Sequence, residues 1–170
     1  MLVYIFRHAE AIEATETVCD EWRYLTEKGR KATEGVAKRL VRQGLKSCLI
    51  LSSPLVRAVQ TAQIVAEMLG RKCTLEINGL LQPEGDISEL IEFLYGHADA
   101  KNIMMVGHEP HLGSFVATLL KRDDTILLKK GSCVIVEINT DKTKKPVKFR
   151  SYLTPRQKTI TSLKKAFIAP

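Results

Sequence analysis

The chain has 170 residues, 45% of them apolar and 26% charged, the proportions of an ordinary globular domain rather than a disordered or fibrous one. That length fits a single domain able to bury about 70% of the surface its unfolded form exposes. Its longest apolar pieces, such as Met1 to Phe6 and Phe115 to Leu120, fall far short of the roughly 18 residues of a membrane span. Arg7 and His8 follow Phe6 where a secretory leader would continue its apolar run, so a cytoplasmic protein with no membrane partner is expected.

The formal charge of +7 invites a nucleic-acid reading, but it is unevenly placed. Residues 1–141 carry 17 basic and 19 acidic side chains, net −2, whereas residues 142–170 carry nine basic and none acidic. With just Phe149, Tyr152 and Phe167 as aromatic company, this stretch reads as a solvated surface, and no nucleic-acid partner is expected. Cys19, Cys48, Cys73 and Cys133 form no Cys-x-x-Cys pair and have no histidine in metal-ligand spacing, so neither a disulfide framework, a metal nor a cofactor is indicated.

Taken in order, Leu2 to Phe6 is an apolar run without helical period and suits a strand buried on both faces. Thr26 caps a helix carrying Gly29, Ala32, Val36 and Leu40 on one face, and Gly44 closes it. Leu49 to Leu51 is a second buried strand. Ser53 as N-cap and Pro54 as first helical residue then open a helix with Leu55, Ala58, Val59, Ala62, Val65, Ala66 and Leu69 on its apolar face and Gly70 at its end. Thr74 to Ile77 is a short strand. Asp86 and Glu89 fit a capping box for a helix ending at Gly96. Ile103 to Val106 is a further buried strand, followed by the helical stripe Leu112, Phe115, Val116, Leu119 and Leu120. Cys133 to Ile138 and Val147 to Leu153 form a hairpin.

Alternation of strand and helix implies an α/β fold of three layers, α/β/α, with a mainly parallel central sheet. One domain over residues 1–154 and a basic tail over 155–170 are expected. In an open parallel sheet ligands bind at the carboxyl ends of the strands. Arg7-His8-Ala9-Glu10, Ser52 to Ala58 and Val106-Gly107-His108-Glu109 each follow such a strand. Alone, either histidine would read as a core residue and Arg57 as a solvated one; placed together, two histidines and two arginines suit a phosphoryl group, because arginine forks match phosphate oxygens. Neutral His8 is then the nucleophile, and Arg7, Arg57 and a protonated His108 offset charge on the equatorial oxygens.

The spacing resembles the histidine phosphatase superfamily. Arg7 and His8 match its first motif, with Ala9 in place of the usual glycine. Ser53, Arg57, Ala58, Gln60, Thr61 and Ala62 match its helical Ser-x-x-x-Arg-Ala-x-Gln-Thr-Ala pattern, Leu25, Thr26 and Gly29 its Leu-Thr-x-x-Gly element, and Gly107-His108 its distant histidine. Within that superfamily the chain is most similar to the small SixA-type phosphohistidine phosphatases. Arg23 and the run Leu81, Pro83, Gly85 and Asp86 match features of that branch. The resemblance implies a phosphoglycerate mutase-like fold without a large cap insertion and His8, His108, Arg7 and Arg57 as catalytic residues. It also implies Arg7, Arg57 and Arg23 as substrate-binding residues, and a phosphorylated protein or small phosphorylated molecule as partner.

The leading expectation is a metal-independent phosphohistidine phosphatase acting through phospho-His8. The alternatives are a small-molecule phosphomonoesterase or mutase of the same superfamily, a non-catalytic phosphate-binding module, and a surface binder acting through the basic stretch. Larger members place a glutamate after the third strand region to protonate the leaving oxygen; Gly79 to Glu84 has none in register, leaving Glu84 as the substitute. Asp86 reads as a helix cap, His97 and His111 as surface or supporting residues, and Glu10 and Glu109 as carboxylates that touch the pocket or orient its arginines.

Overall fold

The computed structural model describes residues 1–70, 73–139, 147–156 and 158–167. The buried runs of the sequence become β1 (Leu2–Arg7), β2 (Cys48–Ser52), β3 (Cys73–Ile77), β4 (Asn102–Gly107), β5 (Cys133–Ile138), β6 (Val147–Leu153) and β7 (Thr159–Ile160). Among the described residues these form one sheet in the order β3-β2-β4-β1-β5-β6-β7. The first four strands are mutually parallel, while β5, β6 and β7 are added by antiparallel pairing.

Successive side chains of a strand point to opposite faces, and this alternation splits the core in two. Tyr4, Phe6, Ile50, Met104 and Val106 pack against α1 (Glu27–Arg42) and α2 (Val56–Leu69) through Val36, Leu40, Ala58, Ala62 and Val65. Val3, Ile5, Leu51, Ile103 and Met105 face the other way, onto α3 (Ile87–Gly96) and α4 (His111–Leu120) through Leu90, Leu94, Leu112, Phe115 and Val116. Each fully buried large side chain contributes about 1.5–3 kcal/mol over its exposed state, so both helix layers are held by the same few strands. The three layers expected from the alternation of elements are present.

Local departures have identifiable causes. α2 begins at Val56 with Leu55 as its N-cap, not at Pro54, because the Ser53 hydroxyl is turned to His108 and reaches the backbone only through a 3.4 Å bond from the Leu55 N–H. The described part of the basic segment 155–170 is attached to the sheet: Thr159 and Ile160 pair with β6, the short α5 (Leu163–Ala166) follows, and the Phe167 ring lies 5.5 Å from Tyr152. The turn between β5 and β6 falls at residues 140–146, outside the described residues.

Gly29 shows why the Leu-Thr-x-x-Gly element is built as it is. Thr26 caps α1 by accepting the Gly29 N–H at 3.0 Å, and the Thr26 N–H donates to the Glu10 carbonyl, so the helix start lies directly on the end of the first motif, just after β1. A Cβ on Gly29 would meet the Glu10 carbonyl oxygen at 2.1 Å, whereas one on Gly35 of the same helix would meet nothing within 4 Å. Gly29→Ala should therefore cost about 2 kcal/mol or more and lower Tm by several degrees. Gly35→Ala should be neutral or stabilising by up to about 1 kcal/mol. Thermal melts of the two variants check this, and equal effects would refute the steric account.

Candidate active site

The carboxyl ends of β1, β2 and β4 lie side by side, since β4 pairs with both β1 and β2. Backbone bonds carry the alignment past the strands, from His8 N–H to the Gly107 carbonyl and from Ser53 N–H to the Val106 carbonyl, at 3.0 and 2.9 Å. Arg7, His8, Ser53, Arg57 and His108 are thereby gathered at one edge. The His8 and His108 rings stand 4.9 Å apart, centroid to centroid, tilted by 52°. His8, Arg57 and His108 are 7%, 5% and 2% exposed.

The His8 Nδ1 lies 2.8 Å from the Ala9 carbonyl oxygen. A carbonyl only accepts, so Nδ1 carries the proton and, in the neutral ring, Nε2 holds the free lone pair. Burial, reinforced by Arg57, Arg7 and Lys130, lowers the His8 pKa to about 3. Ala9 fits the turn where glycine is usual: Lys121 is the one non-glycine described residue with positive φ, so Ala9 pays no left-handed penalty.

His108 is fixed through Nε2, 2.8 Å from the Ser53 hydroxyl, while its buried Nδ1 has no partner among the described residues. Burial and then His8 and Arg57 lower its pKa to about 3 as well. This corrects the expectation of a protonated His108: the resting ring is neutral and offers the site an N–H dipole instead of a full charge.

Arg57 donates through Nη1 to the Asp20 carbonyl at 2.6 Å and through Nη2 to the Asp20 carboxylate at 2.9 Å, leaving its buried Nε unpartnered among the described residues. Arg7 repeats the pattern, with Nη1 on the Leu128 carbonyl at 2.5 Å and Nε unpartnered. Each guanidinium is thus tied at one side and open along its Nε edge, the edge that grips an oxyanion bidentately.

The helical motif supplies the scaffold. Thr61 accepts the Ala9 N–H at 3.2 Å and donates to the Arg57 carbonyl at 2.7 Å, and Gln60 accepts the Leu25 N–H at 2.8 Å, while Ala58 and Ala62 are small enough to be buried completely. Glu109 accepts the Leu128 N–H at 3.2 Å and so steadies the loop whose carbonyl takes Arg7. Glu10 turns outward to Lys28 and Thr26. Asp86 caps α3 by accepting the Glu89 N–H. His97 stacks on Phe93, and His111 is buried at the start of α4, where Glu84 and Asp86 are among the charges acting on it. Glu84 itself is exposed and makes no bond to His8, Arg7, Arg57 or His108 among the described residues. No group of three or more His, Cys, Asp or Glu among those residues could hold a metal ion.

Arg23 lies beside these residues, linked to Arg57 through Asp20, which accepts from Arg23 Nη1 at 2.9 Å on one carboxylate oxygen and from Arg57 on the other. Arg23 also donates to the Ile12 carbonyl and to Glu13. Sequence reasoning missed Asp20 altogether; its only trace there is a position three residues before Arg23. The bond to Arg23, followed by that to Arg57, holds the Asp20 carboxyl below the usual carboxylate range, so it is ionised at neutral pH.

The family profile described as histidine phosphatase superfamily (branch 1) matches residues 3–82. Phosphohistidine phosphatase SixA of Escherichia coli (strain K12) is 30% identical over 121 residues, 70% of this chain and 74% of that protein. The chain belongs to the histidine phosphatase superfamily. An uncharacterized protein of Picosynechococcus sp. (strain ATCC 27264 / PCC 7002 / PR-6) is 33% identical over 153 residues, 83% of this chain and 92% of its own length. A solved structure of the protein histidine phosphatase SixA complexed with tungstate superposes with a TM-score of 0.81 at 25% identity, covering 92% of this chain and 98% of that one. With its likeness to SixA in sequence and in structure, the chain is a phosphatase of this superfamily, and the seven-stranded sheet with its flanking helices is the superfamily architecture.

Two expectations follow from the electrostatics. A histidine whose folded pKa lies below its unfolded value near 6.5 binds fewer protons when folded, so its contribution to stability is present above pH 6.5 and is lost as pH falls toward the folded value. With His8 and His108 both near 3, Tm should fall between pH 7 and pH 5, and ring nitrogen shifts should show both histidines still neutral at pH 5.5. Titration of His8 or His108 at 6–7 would contradict this site. Removing the carboxylate in Asp20→Ala frees Arg57 and should lower kcat/KM on an aryl phosphate by about tenfold or more, with Tm lowered by a few degrees at most because Arg57 keeps its bond to the Asp20 carbonyl. Unaltered kinetics would remove Asp20 from the site.

Proposed function

We propose that this phosphatase hydrolyses phosphohistidine in a protein, through a phospho-His8 intermediate and without a metal ion. The observation that carries the mechanism is the Nδ1–H bond from His8 to the Ala9 carbonyl, which leaves Nε2 as an unprotonated nucleophile. In this reading the Nε edges of Arg7 and Arg57 and the Nδ1–H of His108, with the Ser53 hydroxyl donating to its Nε2, receive the equatorial oxygens; Arg23 supplies charge from beyond Asp20. His8 Nε2 forms a bond to phosphorus as the bond to the substrate's imidazole nitrogen breaks. Water then adds to phosphorus, inorganic phosphate leaves, and the His8 lone pair is restored.

The choice of leaving group rests on the carboxylates. A general acid contributes about 10² to 10⁴-fold, but it must hold a proton near the working pH. Asp20, the carboxylate bonded to Arg57, is held ionised; Glu84 is exposed and bonds to none of the four site residues; and Glu109, whose carboxyl burial pushes up, is engaged by the Leu128 N–H. An alcohol leaving group is therefore poorly served. Imidazole needs less help, because its free nitrogen has a reference pKa of about 6.5 and is readily protonated near neutrality. The SixA relatives support the same reading. A cytoplasmic setting accords with the four free cysteines, of which Cys48 and Cys133 are buried with their thiols pushed up and inert.

His8→Ala should abolish both turnover and phosphoenzyme labelling, and Arg57→Ala or His108→Ala should each lower kcat by roughly 10²-fold or more. Purified protein assayed with chelator present should cleave a phosphohistidine protein much faster than sugar phosphates. Sugar phosphates cleaved equally fast, with that activity alone lost in Glu84→Gln, would replace this reading with a phosphomonoesterase whose acid is Glu84.

A further inference from the structure

A second feature of the same sheet edge takes no part in the chemistry above. A groove of about 440 Å³ is lined by Lys129, Thr154, Pro155, Arg156, Lys158 and Ile160. β5 starts at Cys133 opposite Phe6 of β1, and β6 ends at Leu153 opposite Cys133. With strands about 4.8 Å apart, the residues after β6 stand roughly 10 Å along the edge from the strand that presents His8. The loop before β5 joins the two places: Leu128 takes Arg7, Lys129 lines the groove, Lys130 acts on His8, and the Gly131 N–H donates to the His8 carbonyl.

The groove is cationic and built. Lys129, Arg156 and Lys158 are exposed, no acidic residue lines the groove, and none of the three forms an ion pair among the described residues. The turn carrying two of them is tied to α1, where Arg39 donates through Nη1 to the Lys158 carbonyl at 3.1 Å and through Nη2 to the Thr154 carbonyl. Thr154 N–H donates to the Lys158 carbonyl at 2.9 Å, and the Lys129 N–H donates to the Tyr152 hydroxyl at 2.8 Å. Thr154 is 6% exposed, yet its Oγ1 has no partner among the described residues. An unsatisfied buried hydroxyl beside three unpaired cations is the complement of an anionic, hydrogen-bonding ligand.

We propose that this groove binds a carboxylate-rich segment of the phosphorylated protein, as a second anchor beside the phosphoryl site; the assignment rests on the phosphoprotein reading above. The volume exceeds what one small anion needs, and Pro155 and Ile160 offer aliphatic surface to a peptide's side-chain stems. No aromatic side chain among the described residues lines it, so single-stranded nucleic acid would lack the stacking platform on which such binding depends.

Exposed charge pairs are individually weak and screened by salt, so the test reverses two charges together. Full-length wild type and the double variant Arg156→Glu/Lys158→Glu are titrated with a fluorescent Asp- and Glu-rich peptide of about 12 residues carrying no phosphate, at low and physiological salt. Both are then assayed on an aryl phosphate and on a phosphohistidine protein. Peptide affinity should fall about tenfold in the variant and KM for the phosphoprotein should rise, with aryl phosphate turnover unchanged within about twofold. Equal peptide affinity in the two proteins overturns the groove, as does an oligonucleotide or tripolyphosphate that binds more tightly than the peptide and is lost in the variant. Absence of phosphohistidine turnover, with peptide binding present and sensitive to the variant, overturns the phosphohistidine reading while supporting the groove.

Discussion

One short hydrogen bond, from His8 Nδ1 to the carbonyl of the next residue, orders the chemistry of this protein. An imidazole in solution exchanges its two tautomers freely, and only one of them presents Nε2 as a lone pair. The bond selects that tautomer at no cost in distant structure, because donor and acceptor belong to adjacent residues in one turn. Everything around the turn holds its backbone in place: Thr61 takes the Ala9 N–H, the Gly107 carbonyl takes the His8 N–H, and the Gly131 N–H reaches the His8 carbonyl. In the proposed mechanism, a nucleophile aimed this way is ready before substrate arrives.

The same site concentrates positive charge, which has to be stabilised in the absence of a ligand. Two arginines and two histidines within one buried edge would repel strongly if all were charged. Burial removes the protons from both histidines, and the surrounding protein supplies acceptors to the arginines, the Leu128 carbonyl for Arg7 and Asp20 for Arg57. Asp20 works as a partial counter-ion: ionised, more than half exposed, and shared with Arg23. It leaves the Nε edge of Arg57 open, so an incoming dianion adds to this arrangement instead of displacing a complete ion pair. In the proposed reading, the phosphoryl group is the charge for which the site is balanced.

Much of this was legible in the residues. The strand and helix spans follow from apolar runs and helical stripes, and the hairpin at Cys133–Ile138 and Val147–Leu153 has the boundaries the pattern implied. That Arg7, His8, Arg57 and His108 share one edge was legible because they follow strands or lie at the start of a helix. Ser53 was recognised but given the wrong task, since an N-cap and a histidine partner look alike in sequence and only the position of His108 decides between them. Asp20 left no signal, because its function depends on a loop folding back over α2. The neutrality of His108 was equally hidden, being a consequence of burial and of neighbours far apart in the chain.

The sequence by itself determined what local chemistry and periodicity can specify: which segments are strands and helices, which faces are apolar, and which reactive residues end the parallel strands. These depend on neighbours within a few positions, so they can be read along the chain. The tertiary structure alone decided the protonation of the histidines, the Asp20 clasp on two arginines, and the basic groove that joins Lys129 to Arg156 and Lys158. Each of these depends on through-space distance and on exclusion of water, and two residues 37 positions apart, Asp20 and Arg57, can share a hydrogen bond only after the sheet has set their elements side by side.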